Sequence, residues 1–153
     1  MKNLLLVLFL FSIKLFSFQG LSSNALGFLI VGDINVGYET SINDFTSWVS
    51  TGHYITSTAK IFETEMEYRL STGIRFYSKK INELNKNDFL EFKFGTFQGS
   101  NNASTTGEIY YGFRDQFNKF IYHEIKFGLA RVLNNSSSQF FPSGAINIGF
   151  QLN

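Results

Sequence analysis

Apolar and polar residues alternate one by one along most of the chain beyond residue 25. Between residues 88 and 97, for example, Leu90, Phe92 and Phe94 alternate with Glu91 and Lys93. A repeat of two residues is the period of a β-strand, whose successive side chains point to opposite faces. No run of similar length has the spacing of an amphipathic helix. The pattern therefore predicts an all-β protein.

The alternating segments predict about eight strands, joined by loops and turns. The region 48–80 fits either two or three strands. We choose three because an even total keeps both chain ends on one side of a barrel. Polar runs at 100–104 and 134–138 predict long loops, and 115–119 predicts a short turn, the alternation typical of outer-membrane barrels. The predicted strands lie near 26–38, 48–57, 60–70, 74–80, 88–97, 106–114, 120–132 and 144–153.

The N-terminal segment has the features of a secretory leader. Lys2 provides a positive start, and an apolar stretch follows at 4–13. The stretch is shorter than the roughly 20 residues that a spanning helix needs, so we interpret it as a removable signal peptide. Cleavage after Gln19 or after Ala25 fits, and the small residues at 23 and 25 favour the latter. The predicted division is a signal peptide at 1–25 and a single barrel domain at 26–153.

The composition favours a lipid environment for the protein and argues against several classes of binding site. Charged residues make up 16% of the chain and aromatic residues 18%, whereas a soluble domain has about 25% charged residues. The absence of cysteine excludes lipoprotein anchoring, disulfides and thiolate metal sites. Removing the leader leaves 11 basic residues against 12 acidic ones, which argues against nucleic-acid binding. We expect no cofactor and no metal.

Alternation alone does not decide which face of the barrel is inside. A soluble barrel puts its apolar face inside, and a membrane barrel puts it outside. Here the polar face carries small residues such as Gly95 and Gly112 together with charges of both signs in mid-strand, which suits a narrow, filled interior. A secreted soluble β-sandwich is the alternative. The predicted interior charge network comprises Glu63, Glu65, Glu67, Arg69, Arg75, Glu91, Lys93, Glu108, Arg114, Glu124 and Lys126.

The leader, the eight alternating segments, the long loops and the apolar-alternating final strand resemble the small outer-membrane barrels of the OmpX, OmpW and OmpA-transmembrane-domain type. The resemblance covers the chain after the leader and is one of pattern. It implies an antiparallel up-and-down transmembrane barrel in the bacterial outer membrane. Members of this class usually end on an aromatic residue read by the assembly machinery. This chain ends Phe150-Gln151-Leu152-Asn153, so Phe150 is the candidate for that signal.

The two histidines are the candidates for chemistry. His123 falls in the outward phase of its strand. Small barrels that modify lipid A acyl chains use a His and a Ser, but residues 53–56 read His-Tyr-Ile-Thr and lack the usual His-x-Ser-Asn pattern. His53 and Ser57, four residues apart on a strand, are too distant for a hydrogen bond. We therefore assign no catalytic residue.

The predicted function is a non-enzymatic outer-membrane barrel with a structural or surface-binding role through its extracellular loops. A narrow, porin-like solute-conducting barrel is the first alternative, and a lipid A acyl hydrolase is the second. Expected partners are outer-membrane lipid and the barrel-assembly machinery, with an extracellular ligand as a further candidate. Nucleic acid is not expected, and the chain is expected to be a monomer.

Overall fold

Eight antiparallel strands form a closed barrel in the computed structural model, which describes residues 18–25, 29, 33–55, 66–81, 86–99, 103–133 and 140–152. Each strand pairs with the next in the chain, and the first pairs with the last. The prediction of an all-β, up-and-down barrel with eight strands is confirmed. The strands are β1 (Gln19–Asn24), β2 (Asp33–Asn43), β3 (Thr46–Ile55), β4 (Met66–Tyr77), β5 (Asn87–Gly99), β6 (Ala103–Gln116), β7 (Ile121–Val132) and β8 (Phe140–Gln151).

Two of the predicted strand assignments are wrong, and the total of eight still holds because one strand, β1, was not predicted. The predicted strands at 60–70 and 74–80 are joined in the single strand β4, and residues 60–65 lie outside the described part of the chain. Gly73 does not break it; a side chain there would collide with the backbone of Phe92 on β5, so the glycine permits close pairing. The predicted strand at 26–38 was placed too early, because β2 begins at Asp33.

Strand β1 lies before residue 26, the predicted start of the barrel domain. Gln19–Asn24 pairs with Gly37–Thr40 of β2 on one side and with Asn147–Gln151 of β8 on the other. Residues 19–24, which the predicted division assigns to the leader, therefore form the strand that closes the barrel. The sequence of β1 has a single large apolar residue, Leu21, so its alternation could not be recognised. Residues 1–17 lie outside the described part of the chain.

The two ends of the barrel differ. We call the end with both chain termini the turn end; there, short connections join β2 to β3 and β6 to β7. The opposite end, the loop end, carries the connections 25–32, 56–65, 100–102 and 133–139. The predicted long loop at 100–104 is shorter than expected, because β5 extends to Gly99 and β6 already begins at Ala103. The loops therefore do not all follow the predicted long and short alternation.

The wall of the barrel has an apolar outside and a polar inside. Side chains pointing outward include Val36, Leu70 and Phe94, which are 59%, 67% and 65% exposed. Side chains pointing inward include Arg75 and Glu91, which are 3% and 0% exposed. This distribution is the reverse of that in a soluble barrel. No helix within the described residues is both long and apolar enough to cross a membrane.

The turn end is closed by an apolar cluster inside the barrel. Ile81, in the connection between β4 and β5, is held by a 2.8 Å hydrogen bond from its amide to the carbonyl of Asp44. The phenolic and phenyl rings of Tyr77 and Phe89 lie 5.8 Å apart beneath it. The cluster consists of Phe18, Tyr77, Ile81, Phe89 and Tyr122.

Candidate functional site: the charged interior

Two arginines organise the middle of the barrel. Arg75 on β4 contacts three carboxylates: Nη1 lies 2.9 Å from Glu39 and 2.5 Å from Glu124, and Nη2 lies 2.5 Å from Glu91. Arg114 on β6 pairs with Glu39 and, at 2.5 Å, with Glu124. All five side chains are buried. Buried charges are expensive unless they are paired and hydrogen-bonded, and each of these is paired more than once.

Lys126 completes the central cluster. Its Nζ lies 2.7 Å from Oε1 of Glu91, whose other oxygen binds Arg75. Asn147 donates to Oε1 of Glu124 at 3.2 Å. The cluster thus contains three carboxylates and three cations, so its formal charges balance. The interior can therefore be filled with charged side chains without leaving a net charge in this layer.

Glu39 belongs to the central cluster but is absent from the predicted charge network. The predicted strand ends at residue 38, whereas β2 continues to Asn43, and its inward-facing residues include Asp33, Asn35 and Gly37. Extending the same period by one step would have included Glu39. In the structure it is 4% exposed and also accepts hydrogen bonds from Ser47 at 2.5 Å and Tyr77 at 2.6 Å.

The central cluster crosses the bore of the barrel. Glu39 and Arg114 lie on β2 and β6, which are opposite one another in the eight-stranded ring. Arg75 on β4 reaches Glu124 on β7. Side chains that meet from opposite walls leave little free cross-section, as expected for eight strands. An interior cavity beside Lys93 and Lys126 measures about 20 Å³, which is room for about one water molecule.

Aromatic rings cover this cluster on its turn-end side. The guanidinium of Arg75 lies 3.9 Å from the ring centre of Phe89, and that of Arg114 lies 4.3 Å from the ring centre of Tyr122. Cation–π contacts of this kind are stronger when water is excluded. The apolar cluster therefore both closes the turn end and shields the ion pairs above it.

A second polar layer lies nearer the loop end. Arg69 on β4 pairs with Glu108 on β6. The hydroxyl of Tyr110 donates to Glu108 at 2.8 Å and lies 2.8 Å from the hydroxyl of Ser143. Lys93 donates to Thr51 at 2.5 Å. Predicted network residues Arg69, Lys93 and Glu108 therefore lie in this layer and not in the central cluster.

The three remaining predicted network residues are Glu63, Glu65 and Glu67, which alternate along the chain just before Tyr68. Glu63 and Glu65 lie outside the described residues. Glu67 belongs to strand β4, and its side chain is likewise outside the described part. The structure therefore assigns a position in the two polar layers to the other eight predicted residues.

The histidines occupy opposite environments. His53 points inward at the loop end, where its Nδ1 lies 2.9 Å from Oδ2 of Asp33. His123 points outward near the turn end, as predicted, with its ring 4.8 Å from that of Phe117. Ser50 faces the opposite side of the wall from His53, and Ser57 lies outside the described residues. Among the described side chains, no three His, Asp or Glu residues come together as a metal site requires.

Comparisons with known proteins provide no relative. No family model, curated protein or solved structure matches the chain.

Proposed function

We propose that this small eight-stranded β-barrel is an outer-membrane protein with a structural or surface-binding role through the connections at its loop end. The observation that carries the proposal is the distribution of side chains across the barrel wall, with large apolar side chains outside and buried ion pairs inside. Exposed apolar surface costs about 25 cal/mol per Å² in water. A bilayer removes that cost over the whole circumference.

Strand length and aromatic placement also fit a bilayer. All strands except β1 have 10–14 residues, and a tilted strand needs about 9–11 to cross. Outward-facing Trp48 and Phe76 lie near the turn end, while Tyr54 and Tyr68 lie near the loop end. Aromatic girdles at both interfaces are typical of such barrels. Outward-facing Phe150 on β8 remains the candidate for the assembly signal.

The interior favours a closed barrel over the porin-like alternative. Ion pairs join opposite walls, and the apolar cluster closes the turn end. Ions would have to displace Arg75 and Arg114 from several partners at once. A structural or loop-mediated role therefore agrees better with the filled bore than solute conduction does.

The lipid A hydrolase remains the weakest alternative. Acyl chains of a membrane lipid lie against the outer surface of a barrel, whereas His53 lies inside and is held by Asp33. A general base must come within hydrogen-bond reach of the group that it deprotonates. The position of His53 therefore argues against its acting on a lipid at the wall.

Fractionation and gel mobility test the proposal together. We expect the expressed protein to sediment with outer membranes, as a monomer, and to migrate faster in unheated than in boiled samples because a folded barrel resists detergent. Recovery as a soluble protein whose mobility is unaffected by heating would contradict it.

A further inference from the structure

A groove interrupts the otherwise bulky outer face of the barrel. It measures about 570 Å³ and runs over strands β2 to β6. Its floor is formed by three small outward-facing residues, Ser50, Gly52 and Thr72, which are neighbours across β3 and β4. Val36 rises on one side of this floor, and Leu70 and Phe94 rise on the other.

Large residues close the groove at both ends. The next outward row toward the turn end contains Trp48, paired with Ile74. Toward the loop end, the rings of Tyr54 and Tyr68 lie 5.1 Å apart. The groove is therefore a bounded depression in the middle of the outer face and not the edge of a smooth surface.

The hydroxyl groups on the floor already have hydrogen-bond partners. Trp48 Nε1 donates to Ser50 at 3.1 Å, Ser50 and Thr72 lie 3.0 Å apart, and Thr72 donates to the carbonyl of Val49 at 3.2 Å. In this chain of bonds each donor is used once. These three side chains therefore offer no free hydrogen-bond donor. A polar headgroup would gain few hydrogen bonds on this floor, whereas a hydrocarbon would leave none of these donors unpaired.

We propose that this groove binds one acyl chain of a membrane lipid, an inference that rests on the proposed outer-membrane location. A second copy of the barrel fits less well. In a twofold dimer the same patch must contact itself, and two depressions placed face to face enclose a void. A flexible hydrocarbon chain can follow the groove and regain the packing contacts that an empty groove forfeits.

Gly52 is a position at which a larger side chain, introduced by substitution, would fill the groove. A Cβ at this position would meet only Leu70 Cδ2, at an ordinary 3.5 Å, so Gly52→Leu occupies the groove without a backbone clash. Gly107 on β6 also faces outward, and a Cβ there would meet Leu133 at the same 3.5 Å. It does not line the groove, which makes Gly107→Leu the matched control.

Trp48 is the only tryptophan in the chain and lies beside the groove. The experiment measures quenching of its fluorescence by phosphatidylcholine with brominated acyl chains, mixed with ordinary phosphatidylcholine around the purified barrel in detergent. The parent and Gly107→Leu are expected to show a component that saturates at a low fraction of brominated lipid. Gly52→Leu is expected to lose that component; Gly52→Val provides a second filled variant if Gly52→Leu does not fold.

Equal, unsaturated quenching in all three proteins would overturn the inference, because it indicates only general contact with lipid. A parent that sediments as a dimer in detergent while Gly52→Leu is a monomer would also overturn it, in favour of a second copy as the occupant. Heat-modifiable mobility of the parent is measured in the same samples. Its absence would overturn the proposed location itself, a result distinct from unsaturated quenching of a folded barrel.

Discussion

Arg114 on β6 forms an ion pair with Glu39 on β2, the strand on the opposite side of the barrel. The two residues are 75 positions apart in the sequence. Glu39 also lies 2.9 Å from Arg75 Nη1, so one carboxylate joins two arginines from two further strands. The bore is thus crossed by charges whose partners come from distant parts of the chain.

Loss of the Glu39 carboxylate is expected to destabilise the barrel. Glu39→Gln leaves both arginines with one carboxylate fewer inside the barrel, and breaking a buried pair from one side costs about 3–5 kcal/mol. Glu39→Lys is expected to cost more, because it places a further cation beside Arg75 and Arg114. The free energy of unfolding in detergent or lipid, measured by urea titration, gives the comparison.

The control for this pair of variants is Asp44→Asn at the turn end. Asp44 lies 3.7 Å from Lys80 in an exposed pair, and such pairs contribute little to stability. We expect its unfolding midpoint to equal that of the parent. Equal midpoints for Glu39→Gln and the parent would show that the central cluster is not a closed, buried network.

Inward-facing glycines are expected to tolerate no side chain beside the aromatic cluster. A Cβ at Gly149 would overlap the ring of Tyr122, so Gly149→Ala must displace that ring and is expected to cost about 1–3 kcal/mol. Gly107→Ala, whose Cβ has ordinary contacts only, serves as the comparison. Thermal unfolding of the two variants is the measurement, and equal losses of stability would contradict the assigned packing.

The mature protein is expected to begin at or before Phe18. Phe18 is 1% exposed, and its amide donates to Ser41 Oγ at 3.0 Å while its carbonyl accepts from the amide of Ser41 at 2.9 Å. Cleavage after Ala25 would also remove β1. N-terminal sequencing of the protein purified from cells is the measurement, and a mature chain that starts at Leu26 would contradict the position of β1.

Conductance measurements separate the closed barrel from the porin-like alternative. The purified protein in a planar bilayer is expected to show no steady open state, because Arg75 and Arg114 cross the bore. Replacing both by Ala removes the two crossing side chains and is expected to produce ion-permeable openings if the variant folds. Stable conductance of the unaltered protein would contradict the closed interior.

His53 provides the test against lipid A hydrolysis. We expect the lipid A of cells with and without the gene to have the same acyl chains by mass spectrometry. If an acyl chain is missing when the gene is present and returns with His53→Asn, the protein is an enzyme. The substitution is otherwise expected to affect only the contact with Asp33 at the loop end.

The sequence by itself determined the fold class and which residues of a strand share a face. A period of two is a local property, so Leu90 to Phe94 on β5 could be assigned to alternate faces without knowledge of any partner. The same local rule placed Arg75, Glu91, Glu124 and Lys126 on one face. It would have included Glu39 if the end of β2 had been placed correctly.

Only the tertiary structure decided which of these residues meet and where the barrel begins. Strand β1 has little pattern of its own and is defined by its pairing with β2 and β8. The contact between Glu39 and Arg114 depends on the closure of all eight strands and on the register of each pair. Register is set between strands and is not encoded in the alternation within one strand, so the layers of the interior could not be read from the sequence.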